Sequence, residues 1–224
     1  MDEEDKKDKE AKKAKEAKED KDEIKDKKVE ETARKYEQIE RYTYEDYCAW
    51  DDDQRWELID GIAYAMSAPT WQHQDISRSL LVQLSNFLEG KPCKVFHAPF
   101  DVRLNADTYD NTVVQPDLIV ICDRVKLSRT GCAGAPDMVI EILSPSTASH
   151  DMFRKYHKYM QAGVREFWIV DPATKVVRVC LLKDKKYEQI DYLDADIVPI
   201  QTLEGCQIDF KKVFADLDDE PDAD

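Results

Sequence analysis

Two acidic residues of this chain are flanked by strongly apolar residues, where a carboxylate needs a partner. Asp117 opens the apolar run Leu118–Ile121. Glu141 lies inside a second apolar run, residues 138–143. An unpaired carboxylate in a buried strand is costly or acquires a raised pKa, so a chain keeps one where something compensates for the charge. A divalent cation is a common compensator. The two acids therefore indicate a metal site; the alternative is that each faces solvent or pairs with a lysine or arginine.

A lysine lies on the helix that is predicted to follow the strand of Glu141. Asp151 and Lys155 lie one turn apart in a helix that is predicted directly after the strand of Glu141. Because Lys155 is near the start of that helix, its long side chain could reach over the end of the strand. Lys158 is predicted to lie on the solvated face of the same helix. We therefore expect Lys155 to join the two acids.

Hydrophobic periodicity and turn residues predict the elements that must position these side chains. Thr43 and Asp46 form a capping-box pattern for a short helix up to Trp50. Asp60 and Gly61 are typical of a hairpin turn. Further helices are predicted at 72–88, 150–162 and 210–215, further strands at 93–97, 100–104, 113–121, 137–143, 166–170, 175–182 and 187–192, and a loop at 123–136. This order indicates an α/β (α+β) fold in which a mixed central sheet is flanked by helices.

Several short motifs occur in a fixed order along the chain. They are residues 44–47, 56–61, 73–74, 115–117, 136–147, Asp151 with Lys155, and residues 162–172. Each motif is weak alone, but their order and spacing together are specific. Over residues 42–215 the chain resembles the Uma family of restriction endonuclease-like proteins, in the PD-(D/E)XK nuclease superfamily. The resemblance implies a restriction endonuclease-like core and a metal-dependent endonuclease that hydrolyses phosphodiester bonds in DNA.

The resemblance also implies roles for single residues. Asp117 matches the Asp of the PD motif and Glu141 the acid of the (D/E)XK motif, so both would bind Mg²⁺, for which Mn²⁺ can substitute. The backbone carbonyl of Ile142 matches a further metal ligand. The lysine of the motif should fall at Leu143, which departs from the pattern. In the Uma family that lysine is moved to the following helix, and Lys155 is the matching position.

Three further residues are expected to support this site. Glu57 matches an acid that could serve as an additional ligand or hold a ligand in place. His73 lies at the start of the first long predicted helix, and Asp151 precedes Lys155 by one turn. Many nucleases of this fold act as dimers, so that two active sites meet two strands. The resemblance therefore implies DNA as the substrate and allows a homodimer.

The charge distribution divides the chain into three parts. Residues 1–41 are almost all Lys, Glu, Asp and Ala, which predicts a charged helical or disordered extension, and residues 216–224 predict an acidic disordered tail. The nuclease-like domain is expected at 42–215. The net charge of the chain is −15, and this domain holds 26 acidic against 19 basic residues. That balance argues against strong affinity for DNA, although some of the acids would hold a cation.

Three alternative functions stay open on the sequence alone. The first is a catalytically inactive nuclease-fold protein that binds nucleic acid or a protein, which the leucine at 143 and the acidic charge favour. The second is an interaction protein that works through its charged N-terminal extension. The third is a metal-dependent hydrolase that acts on smaller phosphate esters.

Cysteine usage and hydropathy bear on location. The chain has six cysteines and no CxxC pair, so a zinc knuckle is not expected. We predict that all six are reduced and act as small buried apolar residues. The sequence has no apolar run long enough to span a membrane, and its charged N-terminus does not resemble a signal peptide. We therefore predict a cytoplasmic protein with no membrane partner.

Overall fold

Short strands and a few helices make up the described part of the chain. The computed structural model describes residues 40–144, 150–194, 196–215 and 217. The strands are β1 (Trp56–Ile59), β2 (Ile62–Ala65), β3 (Lys94–His97), β4 (Asp101–Arg103), β5 (Val113–Val114), β6 (Leu118–Ile121), β7 (Gly131–Ala133), β8 (Met138–Ile142), β9 (Glu166–Asp171), β10 (Val176–Lys183), β11 (Lys186–Tyr192), β12 (Ile197–Pro199) and β13 (Gln207–Asp209). The helices are α1 (Tyr44–Ala49), α2 (Trp71–Leu88), α3 (His150–Ala162) and α4 (Phe210–Val213), with a 3₁₀ turn at Arg124–Lys126.

A six-stranded mixed sheet is the centre of the fold. Its strand order is β11-β10-β9-β8-β6-β3. β8 and β9 are parallel, whereas the other neighbouring pairs of this sheet are antiparallel. Parallel neighbours need a crossover connection, and α3 provides it between β8 and β9. The predicted mixed sheet with flanking helices is thereby confirmed.

Both faces of this sheet are buried, which explains why its inner strands are almost wholly apolar. On one face, Ile140 of β8 packs in a cluster with Leu84 of α2. On the other face, Val139 packs in a cluster with Tyr159 of α3. Because side chains alternate along a strand, residue 141 belongs to the face that α3 covers. Strand parity therefore assigns Glu141 to the α3 side.

A second sheet has five strands, in the order β2-β1-β5-β4-β7. The chain leaves β5 at Val114 and enters β6 at Leu118, so residues 115–117 connect the two sheets.

The sequence did not predict this second sheet. The prediction of a loop at 123–136 was wrong, because β7 lies within it and pairs in parallel with β4. The two-stranded sheet of β12 and β13 was also missed, since neither pairing has a local sequence signal.

The predicted capping box and hairpin turn are confirmed. Thr43 accepts a hydrogen bond from the backbone N–H of Asp46, and the Asp46 side chain accepts from the N–H of Thr43. Asp60 and Gly61 adopt φ angles of 53° and 78° between β1 and β2, as a tight hairpin turn requires. The two long predicted helices are present as α2 and α3.

The prediction of six reduced, buried cysteines was wrong for three of them. Cys93 and Cys122 form a disulfide. They flank β3 and β6, which are antiparallel neighbours with Lys94 opposite Ile121, and this register brings the two flanking residues together. Cys48 is free but exposed. The free cysteines that are buried as predicted are Cys132, Cys180 and Cys206.

Some predictions concern parts of the chain that the structure does not describe. The extension at 1–41 and the tail at 216–224 lie outside the described residues, except for residues 40, 41 and 217. Within the described residues, no helix combines the length and the apolar character needed to cross a membrane. The state of the extension and the tail, and the cytoplasmic location, stay predictions.

Gly131 in β7 is a position where a side chain would disrupt the second sheet. Its φ is +155°, and an added Cβ would lie 2.2 Å from the carbonyl oxygen of Asp101, its partner in β4. Gly90 is a matched control, because its φ is +73° but an added Cβ meets nothing within 4 Å. We expect Gly131→Ala to lower the free energy of unfolding by roughly 1–3 kcal/mol more than Gly90→Ala. Equal losses in chemical denaturation of the two variants would contradict the clash.

Candidate active site

Strand register places the two predicted metal-binding acids side by side. β6 runs antiparallel to β8, with Leu118 opposite Ile140. One step further along this ladder, Asp117 lies opposite Glu141. The backbone N–H of Ile142 donates a hydrogen bond of 2.7 Å to Oδ2 of Asp117. The structure thus brings together the two acids from which the sequence predicted a metal site.

Lys155 enters the site from α3. It is 5% exposed, and its Nζ lies 3.2 Å from Oε1 of Glu141 and 2.8 Å from Oε1 of Glu57. Leu143, the position of the motif lysine, is two residues after Glu141 and so falls on the same side of the chain. The ammonium group reaches Glu141 from the helix instead. The sequence-based placement of Lys155 beside the end of the strand agrees with this geometry.

Burial makes Glu141 a weaker acid than an ordinary glutamate. Desolvation raises the pKa of its carboxyl group to about 8; the charge of Lys155 opposes this rise, and the charges of Asp117 and Glu57 add to it. The hydroxyl of Tyr159 donates a 2.5 Å hydrogen bond to Oε1 of Glu141. Burial raises the pKa of Tyr159 well above its usual value, which keeps this hydroxyl protonated as a donor.

Tyr159 is a site residue that the sequence analysis missed. It is fully buried on α3, one turn after Lys155. Residues four apart on a helix lie on the same face. Helical spacing from Lys155 was therefore a usable signal for Tyr159.

Glu57 connects the five-stranded sheet to the site. It lies on β1 and is 2% exposed. Its Oε1 accepts a 2.8 Å hydrogen bond from the backbone N–H of Gln115, in addition to the contact with Lys155. Lys155 is thus shared between carboxylates of two sheets. Gln115 was also missed, although it lies two residues before Asp117 in the passage between the sheets.

His73 holds the other acid from the first turn of α2. Its Nε2 donates to Oδ1 of Asp117 at 3.1 Å, and its own backbone N–H is capped by Thr70. Burial by itself lowers the pKa of His73, but the hydrogen bond and charge of Asp117, with the charge of Glu141, raise it overall. Its Nδ1 is buried and has no hydrogen-bond partner among the described residues.

The donors at this site suit a hard divalent cation. Lys155 contacts Glu57 and Glu141, whereas Asp117 pairs with His73. Burial raises the pKa of Glu141, and the charges of Asp117 and Glu57 raise it further. Among the described residues, no three His, Cys, Asp or Glu side chains are grouped so that they could hold a metal ion by themselves. Mg²⁺ commonly uses one or two carboxylates and several waters. Asp117 and Glu141 fit that pattern, and the bonds from Lys155 and Tyr159 both reach Oε1 of Glu141.

The site opens into a cleft. Six of the seven predicted site residues line it: Glu57, His73, Asp117, Glu141, Ile142 and Lys155. The side chain of the seventh, Asp151, lies outside the described residues. Other polar groups reach the cleft from both sheets and from α2, among them Arg55, Gln74, Ser77 and His97. Asp117, Glu141 and Lys155 therefore lie along the same cleft.

The chain has a restriction endonuclease-like fold. The crystal structure of a putative nuclease belonging to DUF820, from Anabaena variabilis, superposes with a TM-score of 0.65 and 19% sequence identity. The match covers 79% of this chain and 99% of that protein. At this level of identity the similarity establishes the fold alone.

Sequence comparison identifies the family. The family described as "Uma2: Putative restriction endonuclease" matches residues 43–211, and the chain belongs to it. An uncharacterized protein from Synechocystis sp. is 30% identical over 134 residues, which is 59% of this chain and 69% of that protein. The resemblance inferred from the motifs is confirmed.

Removal of the Lys155 ammonium should destabilise the fold. At about pH 8, Lys155→Met would leave Glu57 and Glu141 buried without their cation, at a cost of about 3–5 kcal/mol in the free energy of unfolding. Lys158 lies on the same helix and forms an exposed ion pair with Asp60. Lys158→Met should therefore lower the free energy of unfolding by less than about 1 kcal/mol. Urea denaturation of the two variants measures both values. A loss for Lys155→Met no larger than that of the control would show that the buried contact is not maintained.

The pKa of Glu141 predicts how stability depends on pH. Its usual value is 4.5 and its folded value is about 8. Between these values the folded state keeps a proton that the unfolded state has released, so the free energy of unfolding should fall as pH rises through this window. The raised pKa of His73 acts in the same direction. With EDTA present, Glu141→Gln should flatten the fall measured by denaturation; an unchanged slope would contradict the assignment.

Proposed function

We propose that this protein is a metal-dependent endonuclease that hydrolyses phosphodiester bonds in DNA. The observation that carries the proposal is the 3.2 Å contact between Nζ of Lys155 and Glu141, in a chain where leucine replaces the motif lysine at 143. With Asp117 opposite Glu141, the two acids and one lysine of this nuclease class are available, although the lysine comes from a different element. Membership of the Uma2 family supports the same conclusion.

Asp117 and Glu141 would hold the cation, together with the backbone carbonyl of Ile142. Mg²⁺, or Mn²⁺ in its place, suits these oxygen donors. A cation bound there supplies Lewis acidity, which lowers the pKa of a water and neutralises charge on the phosphate. His73 and the N–H of Ile142 fix the Asp117 carboxylate by bonds to its two oxygens. Fixing the carboxylate in this way reduces its reorganisation during the reaction.

Lys155 acts as a cation and a donor in this proposal. Carboxylate oxygens of Glu57 and Glu141 lie within 3.2 Å of Nζ, which favours the protonated amine. A protonated amine cannot accept the proton of the attacking water. We therefore assign Lys155 to the orientation of that water and to the stabilisation of negative charge that develops on the phosphate. Tyr159 and Glu57 hold Glu141 and Lys155 in place.

A second candidate function is a binding module that keeps the nuclease fold without cleavage. Two observations favour it: the net charge of −15, and the engagement of Lys155 with Glu57 as well as Glu141. In this case the buried contacts would serve stability alone. Measurement of metal-dependent DNA cleavage distinguishes the two functions. A homodimer, in which two sites face two strands, belongs to the first proposal.

Cleavage of supercoiled plasmid with Mg²⁺ or Mn²⁺ tests the nuclease directly. We expect wild-type protein to nick or linearise the plasmid, and EDTA to abolish the activity. Glu141→Ala and Lys155→Ala should each lower the rate by about 10²-fold or more, since each removes a preorganised charge from the transition state. Circular dichroism of each variant checks that loss of activity is not loss of folding.

Lys158→Ala is the matched control for this assay. Lys158 lies on the same helix, pairs with Asp60 at 2.6 Å and is not among the residues that line the cleft. Its rate should stay within about twofold of wild type, as expected of a surface pair. Absence of cleavage by wild type with both metals would reject the nuclease in favour of the binding module. Activity that survives in Glu141→Ala would reject the site.

A further inference from the structure

The cleft contains a cation that the proposed chemistry does not use. Among the described cleft-lining residues, the lysines and arginines are Lys155 and Arg55. Lys155 is buried and shared by two carboxylates. Arg55 directly precedes β1 and is exposed. Arg55 is therefore the more accessible of these two cations to an anion that enters the cleft.

Gln115 holds the Arg55 side chain without neutralising it. Nε and Nη2 of Arg55 both donate to Oε1 of Gln115, at 3.1 and 2.6 Å. This acceptor is an amide oxygen and carries no net charge. Gln115 is itself 8% exposed and fixed, because its Nε2 donates to the hydroxyl of Tyr47 and to Asp101, both at 3.0 Å. The guanidinium is thus oriented by an uncharged acceptor, and its charge also acts on Asp101, where it lowers the pKa against the rise that burial causes.

The same glutamine places Arg55 in a fixed relation to the acids. The backbone N–H of Gln115 donates to Glu57 at 2.8 Å, and Asp117 follows two residues later in the passage between the sheets. One short segment therefore positions the cation at the cleft and the carboxylates within it. An anion bound by Arg55 would lie in the same cleft as Asp117 and Glu141.

We propose that Arg55 binds a backbone phosphate of the nucleic acid beside the scissile bond, an inference that rests on the proposed function. The guanidinium fork matches the geometry of phosphate oxygens. In a protein of net charge −15, this contact offsets the repulsion between an acidic cleft and a polyanion. If Arg55 merely tied β1 to Gln115, its loss would affect stability but not the salt dependence of DNA binding.

The salt dependence of binding distinguishes these roles. Fluorescence anisotropy with a labelled DNA duplex, in EDTA so that no strand is cut, gives the affinity over a series of NaCl concentrations. If Arg55 neutralises one phosphate, Arg55→Gln should reduce the slope of log K against log salt by about 0.9. Arg55→Lys keeps the charge but loses the fork, so it should retain the slope and raise KM in the plasmid assay. Arg178→Gln is the control, because Arg178 pairs with Asp191 at 2.8 Å and is not among the cleft-lining residues.

The outcomes separate this inference from the proposed catalysis. A slope that is unchanged in Arg55→Gln, or changed equally in Arg178→Gln, overturns the role of Arg55 even if wild type cuts plasmid. Failure of wild type to bind DNA overturns it as well. A wild-type protein whose binding slope depends on Arg55 but which cuts no plasmid supports the phosphate contact and refutes the nuclease.

Discussion

The buried ammonium group of Lys155 is the interaction on which the site depends. It lies 2.8 Å from a carboxylate of the five-stranded sheet and 3.2 Å from one of the six-stranded sheet. Each of these carboxylates would be costly to bury alone. One lysine offsets part of that cost for both, and the two sheets are joined at this point. Stability and the candidate chemistry therefore share a side chain, and for this reason stability has to be measured alongside activity in its variants.

The passage between the sheets determines the remaining geometry. Residues 115–117 lie where the chain leaves β5 and enters β6, and Gln115 and Asp117 contribute to different parts of the site. Gln115 supports Glu57 through its backbone and Arg55 through its side chain. Asp117 lies opposite Glu141 because of the antiparallel register of β6 and β8. A short segment of the chain thus sets the separation between Arg55 and the two acids that we propose bind the metal.

The acidic character of the chain has a local counterpart in this cleft. Glu57, Asp117 and Glu141 outnumber the lysine beside them, and the pKa of Glu141 is raised to about 8 as a result of burial and of its acidic neighbours. A divalent cation would relieve this excess, so metal affinity and the ionisation of Glu141 should be linked. The same excess would repel a nucleic acid, and in our proposal the exposed charge of Arg55 offsets part of that repulsion. The overall negative charge is therefore compatible with a phosphodiester substrate if cations are placed inside the cleft.

Apolar runs interrupted by Asp117 and Glu141 indicated the two acids, and the motif spacing indicated Lys155, because these signals are local. Helix periodicity and turn residues likewise predicted α2, α3 and the β1–β2 hairpin. Tertiary structure alone decided the second sheet, the disulfide between Cys93 and Cys122, and the shared contact of Lys155 with Glu57, since these depend on strand pairings and side-chain contacts between segments distant in sequence. Gln115 shows most clearly what the sequence cannot predict. Its residue type and position can be read from the sequence, but its hydrogen-bond partners come from three other segments of the chain. A sequence records which groups are present, whereas register between distant strands decides which of them meet.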